Sequence, residues 1–365
     1  MNRSPQVVQA SYMGRLHDPV IAGANFCTLA NHRQSLANTG GNLQTSAAVT
    51  LQASDVVVQI CGSALGAFPG AECVGVVAEA GAAAEHLAGQ PVLIPRILPC
   101  GECSCCRRGA VLTCPQRRSR PSTPQSYEVL PARYLLPLQP PFVEAAPLSD
   151  SLWQFAALAD ALLTPYAGLV RAGVSPGTVC VVLGLGVRSA LTAVIAEALG
   201  LFVVRFSAED AARLDPAKAR QRVAELATAQ GLPLAGACII ETIGSDAARA
   251  RAILMAEPAS TVLLLERSQP LGGTIGGLVG EPQGGAQLVS LATLEHVVAM
   301  QAQVAAVAPH PDLLPELLAL CTHTRLDLAQ HTRAVAIEEA EAVMEARRCG
   351  QESDLRLPIV VFPPP

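Results

Sequence analysis

Four cysteines stand close together between residues 100 and 114: Cys100, Cys103, Cys106 and Cys114, spaced C-x2-C-x2-C-x7-C. Four thiolates on one short loop can close a tetrahedral Zn²⁺ shell and leave no coordination position for substrate. Such a site contributes folding energy and does no chemistry of its own. Free thiols or a disulfide pair suit this ligand-like spacing less well. Cys105 is left over and is expected to point away. Arg107, Arg108, Arg117, Arg118 and Arg120 flank the loop and read as a solvated surface.

A second chemical signal lies further on. Gly184-Leu185-Gly186-Val187-Arg188-Ser189 occupies the place of a G-x-G-x-x-G turn. Its first two glycines allow a tight turn and bring the backbone close to a pyrophosphate at a helix N-terminus. Ser189 stands at the third position, where a small residue still permits close packing. An acidic residue is expected about 20 residues on, to hold the adenosine ribose. Ser207 is there instead. It suits a 2′-phosphate better than an Asp would, with Arg205 or Arg213 supplying charge; Glu209 and Asp210 come only in the next turn. The alternative is a Gly-rich turn in a Rossmann-like domain that no longer binds nucleotide.

These loops need elements to position them. The chain has 365 residues, half of them apolar and only 3 % aromatic. That length suits two domains, and that composition suits buried parallel strands flanked by Ala-rich helices. Residues 1–54 are poorly readable. From 55 to 150, short apolar runs at 56–60, 74–78, 91–94, 126–131 and 134–138 read as strands of a β-rich unit from which the cysteine loop hangs. Helices are expected over 152–163 and 166–172. Strand 179–183, the Gly turn, helix 189–199 and strand 202–206 form a βαβ crossover, which implies a parallel sheet. Further strands fall at 238–241 and 261–265. Residues 332–346 read as helix and 357–362 as a closing strand. The domains expected are 55–150, 151–300 and a return over 301–365 to the first, with 1–54 as its leading segment.

Net charge is −5, so no basic nucleic-acid footprint exists. The start lacks a secretory signal's apolar stretch, and the most apolar run, 181–199, is broken by Arg188 and Glu197. The remaining cysteines have no framework spacing. A cytoplasmic protein with reduced thiols and no membrane partner is expected.

Together these pieces resemble the zinc-containing medium-chain alcohol dehydrogenase family from about Asp55 onward. Residues 93–114 (LIPRILPCGECSCCRRGAVLTC), 159–173 (ADALLTPYAGLVRAG) and 176–186 (PGTVCVVLGLG) look most like its 6-hydroxycyclohex-1-ene-1-carbonyl-CoA dehydrogenase branch. The resemblance implies an α/β architecture: a GroES-like β-rich catalytic domain plus a doubly wound Rossmann domain. It also implies a homodimer or homotetramer. Catalytic zinc in this family uses a Cys in a C-G-S-D-like motif, a His in G-H-E-x-x-G and a later Cys, Asp or Glu. Here the motifs are Cys61-Gly62-Ser63-Ala64 and Gly70-Ala71-Glu72-Cys73-Val74-Gly75. By resemblance Cys61 is a ligand, Ser63 the proton relay, Glu72 the neighbouring glutamate and Asp160 the last ligand. The histidine is replaced by Ala71, the aspartate by Ala64, and the Cys61–Ala71 segment is about half its usual length. Three anions around one metal would weaken it as a Lewis acid, and catalytic zinc needs about three ligands and an open position. Cys73, on the same face as Ala71 and roughly 6–7 Å further along a strand, is a displaced substitute sulfur. His86 reads as solvent-facing.

Two functions therefore stand side by side. One is an NAD(P)-dependent oxidoreductase on an acyl-CoA-linked alicyclic alcohol, ketone or enoyl group, with structural zinc and weak nucleotide binding. The other is a catalytically inactive paralogue acting as scaffold, regulator or complex subunit. The second rests on Ala71, the short segment, Ser189 and Ser207 together.

Overall fold

The computed structural model describes residues 51–66, 70, 72–120, 124–138, 151–184, 186–207, 215–265, 291–307, 309–349, 351 and 353–362, with short paired stretches at 7–8, 28–29 and 49–50. Expectations attached to Ala71, Leu185, Glu209, Asp210 and Arg213 fall outside them. The chain divides into two units, Met1–Asp160 with Asp327–Pro365, and Ala161–Leu326.

The first unit is built on β1 (Asp55–Ala64), a strand rich in β-branched residues. It pairs antiparallel with β2 (Cys73–Ala80), which pairs with β3 (Pro91–Ile94). A two-stranded ribbon follows: β4 (Ile97–Leu98) against β5 (Arg118–Ser119), with α1 (Ser104–Arg107) in the lobe between them. β6 (Tyr127–Pro131) covers the other side of β1 along Asp55–Gln59, and β7 (Leu136–Pro137) pairs with β3. The strand expected over 134–138 is thus only two residues long. Ala132–Tyr134 is a 3₁₀ turn, and Pro137 has no N–H to extend the ladder. Val56, Val58, Ile60, Val92, Ile94, Leu98 and Leu130 form one buried cluster, each contributing on the order of 1.5–3 kcal/mol by leaving water.

Residues 152–163 do not make one helix. Leu152–Leu158 is a 3₁₀ segment, and α2 starts at Leu163 and runs to Arg171. Pro165 explains the break, because its ring tolerates only the first turn of a helix. The 3₁₀ segment packs on β1 at Gly62, where an added Cβ would lie 2.6 Å from Trp153 O. Only glycine admits that approach.

The second unit has a five-stranded, all-parallel sheet. Its strands are β8 (Val179–Leu183), β9 (Phe202–Phe206), β10 (Cys238–Glu241), β11 (Thr261–Leu264) and β12 (Gln303–Ala306), in spatial order β9-β8-β10-β11-β12. Helices α3 (Val187–Ala198), α4 (Pro216–Ala229), α5 (Asp246–Leu254), α6 (Leu291–Met300) and α7 (Leu314–His323) link or follow them. β8 is buried at every position, as a central parallel strand must be. α4 begins where Asp215 Oδ1 accepts from the Ala217 and Lys218 N–H groups, with Pro216 at the first helical position. A return to the first domain is expected from residue 301, yet Gln303–Ala306 pairs in parallel with β11.

The last segment rejoins the first unit. Thr332–Val335 is strand β13, not helix; the helix, α8, spans Ala340–Arg348. Thr332 and Val335 are buried by pairing with β14 (Leu357–Val361), and the β-branched Thr332 favours strand over helix. β14 also runs antiparallel to β1, with Val360 opposite Ser63.

Candidate functional site

The cysteine lobe is compact. The sulfurs of Cys100, Cys103, Cys106 and Cys114 all lie within 4.8 Å of one another. Cys100 and Cys106 Sγ are 3.8 Å apart, and Cys103 and Cys106 Sγ 3.5 Å. A tetrahedral ion with metal–sulfur bonds near 2.3 Å requires edges of about 3.8 Å. Backbone N–H groups already face these sulfurs. The Cys103 N–H donates to Cys100 Sγ, the Cys106 N–H to Cys103 Sγ and the Cys100 N–H to Cys114 Sγ. The Cys106 N–H is the main reason the Cys103 thiol is lowered to about 6, while burial pushes Cys106 up to about 12. The donor set and its spacing fit structural zinc. Cys105 lies outside the cluster.

The residues marked by resemblance are arranged differently. Ser63 on β1, Cys73 on β2 and Ile94 on β3 lie directly opposite one another across the sheet, and so share a face. Cys73 S–H donates to Ser63 Oγ at 3.3 Å. The strand bulges at Cys61: Ile60 faces Gly75 and Gly62 faces Val74, so Cys61 has no partner on β2. Burial raises its thiol. Glu72 is fully buried. Asp160, also buried, accepts from Arg96 Nε at 3.4 Å. Among the described residues the four-cysteine lobe alone brings three or more donors together. Cys61, Glu72 and Asp160 are not brought together as such a group. His86 is exposed, in a 3₁₀ turn.

Arg120 is a correction to the solvated-surface reading. It is buried and forms an ion pair with buried Glu128 on β6: its Nε lies 3.0 Å from each carboxylate oxygen, and its Nη2 also reaches Oε2. Nη2 further donates to Cys73 Sγ at 3.3 Å. Burial raises the Cys73 thiol, and the Arg120 charge pulls against that. The result is a continuous buried polar cluster, Glu128–Arg120–Cys73–Ser63, beside the apolar core of the first unit. Sequence reasoning missed Glu128. The available signal was a lone carboxylate within the apolar run 127–130, eight residues from an arginine.

The glycine turn lies between β8 and α3. Gly184 has φ +132°, and a Cβ there would lie 2.3 Å from Thr242 Oγ1. Thr242 in turn donates to Leu183 O. Gly186 is the N-cap of α3, and among the described residues nothing lies within 4 Å of a Cβ added to it. The backbone there is open to a ligand, as pyrophosphate binding needs. Ser189 is buried, and its hydroxyl donates to Gly184 O at 2.5 Å, tying helix to turn. Ser207 directly follows β9 and is half-buried; Arg205 is exposed. Glu241 Oε1, at the end of β10, accepts from the Ile243 and Gly244 N–H groups and shapes the neighbouring loop.

Comparison with known proteins agrees with this architecture. Residues 44–140 match the alcohol dehydrogenase GroES-like domain. Galactitol-1-phosphate dehydrogenase from Escherichia coli superposes with a TM-score of 0.66 at 18 % identity, covering 85 % of this chain and 93 % of that one. The alcohol dehydrogenase of Aeropyrum pernix gives 0.65 at 17 %, covering 88 % and 96 %. A putative zinc-binding dehydrogenase from Sinorhizobium meliloti, bound to NADP, gives 0.60 at 17 %, covering 85 % and 93 %. No curated protein sequence matches the chain. The fold is that of the medium-chain alcohol dehydrogenases: a GroES-like unit and a parallel α/β unit.

Proposed function

We propose that this protein is an alcohol dehydrogenase-like chain that keeps a structural zinc and has lost the catalytic one, acting as a scaffold, regulator or complex subunit. The observation that carries this is the Arg96–Asp160 contact: a guanidinium pairs with the carboxylate that would complete the metal shell. Arg120 and Glu128 fill the neighbouring space with a second internal pair. Zinc on Cys100, Cys103, Cys106 and Cys114 cross-links the lobe. Elemental analysis should find close to one zinc per chain. Cys103→Ser should lose it, and Cys61→Ser should not. Turnover of simple and CoA-linked alcohols with both nicotinamide cofactors should be undetectable. Clear alcohol dehydrogenation, or two zincs per chain, would overturn the reading.

The open backbone at Gly186 favours a second reading, metal-free hydride transfer to an acyl-CoA-linked enoyl or keto group. A bound nicotinamide cofactor would supply the hydride. Gly184, Gly186 and Ser189 would form its pyrophosphate turn, and Ser207 would favour NADPH over NADH. Binding should be weak, and Ser207→Asp should improve NADH binding in a fluorescence titration; tight NADH binding by the unaltered protein contradicts this. The eleven cysteines among the described residues are all free, which supports a reducing, cytoplasmic setting. Among those residues no helix is long and apolar enough to cross a membrane. A homodimer or homotetramer is the assembly expected by resemblance, and mass measurement in solution checks it.

A further inference from the structure

The cysteine lobe and the buried polar cluster are joined by one short piece of structure. Arg96 immediately precedes β4 and Arg120 immediately follows β5. Ile97 pairs with Ser119 and Leu98 with Arg118, and the Arg120 N–H faces Arg96 O at 3.5 Å. Everything from 99 to 117 between these strands is the lobe. A ladder of two rungs is too short to hold its own register. What fixes it is closure of the lobe at one end and burial of Ile97 and Leu98 at the other. The two arginines held at that register reach in two directions. Arg96 takes Asp160, while Arg120 ties the ribbon to β6 through Glu128 and to β2 through Cys73.

We propose that the lobe is a zinc sensor whose output is this cluster: loss of the ion opens the β4–β5 ribbon, withdraws Arg120 and turns Cys73 from a covered thiol into a reachable nucleophile. The inference rests on the lobe holding zinc. Without a cross-link, the loop regains its conformational freedom and no longer holds the two-rung ribbon in register. Once Arg120 leaves, Glu128 is a buried carboxylate without its guanidinium, and it draws in water or moves out. Either response uncovers Cys73, which sits against the same guanidinium. By linkage the coupling runs both ways, so a weakened Arg120 contact must weaken the hold on zinc.

The test uses the full chain, zinc-loaded or stripped with a strong chelator, then pulsed with iodoacetamide and analysed by peptide mass spectrometry. Stripping should raise Cys73 alkylation at least about tenfold while Cys180 and Cys238, buried side by side in the parallel sheet, stay protected. If Cys73 stays as protected as those two, the coupling is wrong. If all three react together, the chain has unfolded globally, and the device is equally refuted. Separately, Arg120→Met should lose zinc to a competing chromogenic chelator at about tenfold lower chelator concentration; unchanged retention refutes the linkage. A chain that takes up no zinc overturns the metal reading and the sensor with it. One that takes up zinc but fails the alkylation test overturns the sensor alone.

Discussion

Arg120 and Glu128 are a buried pair of opposite charges, and the two partners are not worth the same as the pair. Removing one leaves the other desolvated and uncompensated, typically a loss of about 3–5 kcal/mol, whereas replacing both with apolar residues is often neutral. Arg120→Met should therefore destabilise the chain by roughly that amount in urea unfolding, and the double variant Arg120→Met/Glu128→Leu should recover most of it. A double variant no better than the single one would mean that Arg120 acts through Cys73 rather than Glu128. Glu241 is a different case. Burial raises its carboxyl above the usual value, against the pull of the Gly244 and Ile243 N–H groups and of Arg249. A carboxyl raised on folding holds its proton longer in the folded chain, so folding stability falls as pH rises from the unfolded value near 4.5 through the folded one. Glu241→Gln keeps an oxygen for both N–H groups and should flatten that fall without lowering stability at neutral pH.

At the scale of elements, the two glycines of the turn should separate packing from binding. Gly184→Ala meets Thr242 Oγ1 and an unfavourable φ, and should cost about 2 kcal/mol or more. Gly186→Ala has room and an ordinary φ of −72°, so stability should hold within about 0.5 kcal/mol. Its methyl would stand where a pyrophosphate must approach, so any nucleotide binding should drop. Calorimetry and cofactor titration on the two variants check this. The same elements show what the sequence made legible. Val179–Leu183 and Cys238–Glu241 could be read residue for residue, because buried parallel strands are mostly apolar runs closed by turn residues, and Phe202–Phe206 because its β-branched and aromatic residues follow a helix closed by Gly200. The cysteine lobe was legible because its donors are local. Thr332–Val335 was not, because its partner lies at Leu357–Val360 and the strand preference of its two β-branched residues is too weak on its own to decide against helix. The Arg120–Glu128 pair escaped for a related reason: both side chains look like surface until the tertiary fold buries them together.

Over the whole molecule, zinc should stabilise one unit and not the other. All four lobe cysteines belong to the unit Met1–Asp160 with Asp327–Pro365. Chelation should therefore reduce amide hydrogen-exchange protection in β1, β2, β3, β6 and β14 while leaving β8, β10 and β11 as they were. Uniform loss across both sets would mean that the two units unfold as one.

The insertion of β14 beside β1 has a consequence for synthesis. One edge of β1 is covered along Asp55–Gln59 by β6, which leaves the ribosome early, but along Gly62–Ala64 by residues 359–361, which are translated near the end of the chain. All of Ala161–Leu326 is made in between and can form its own sheet first. Through that interval the edge carrying Ser63 stays open, with unpaired N–H and C=O groups that invite any other strand. A nascent chain stalled before Leu357 should therefore depend on chaperones and aggregate when released, while one released after Val361 should not.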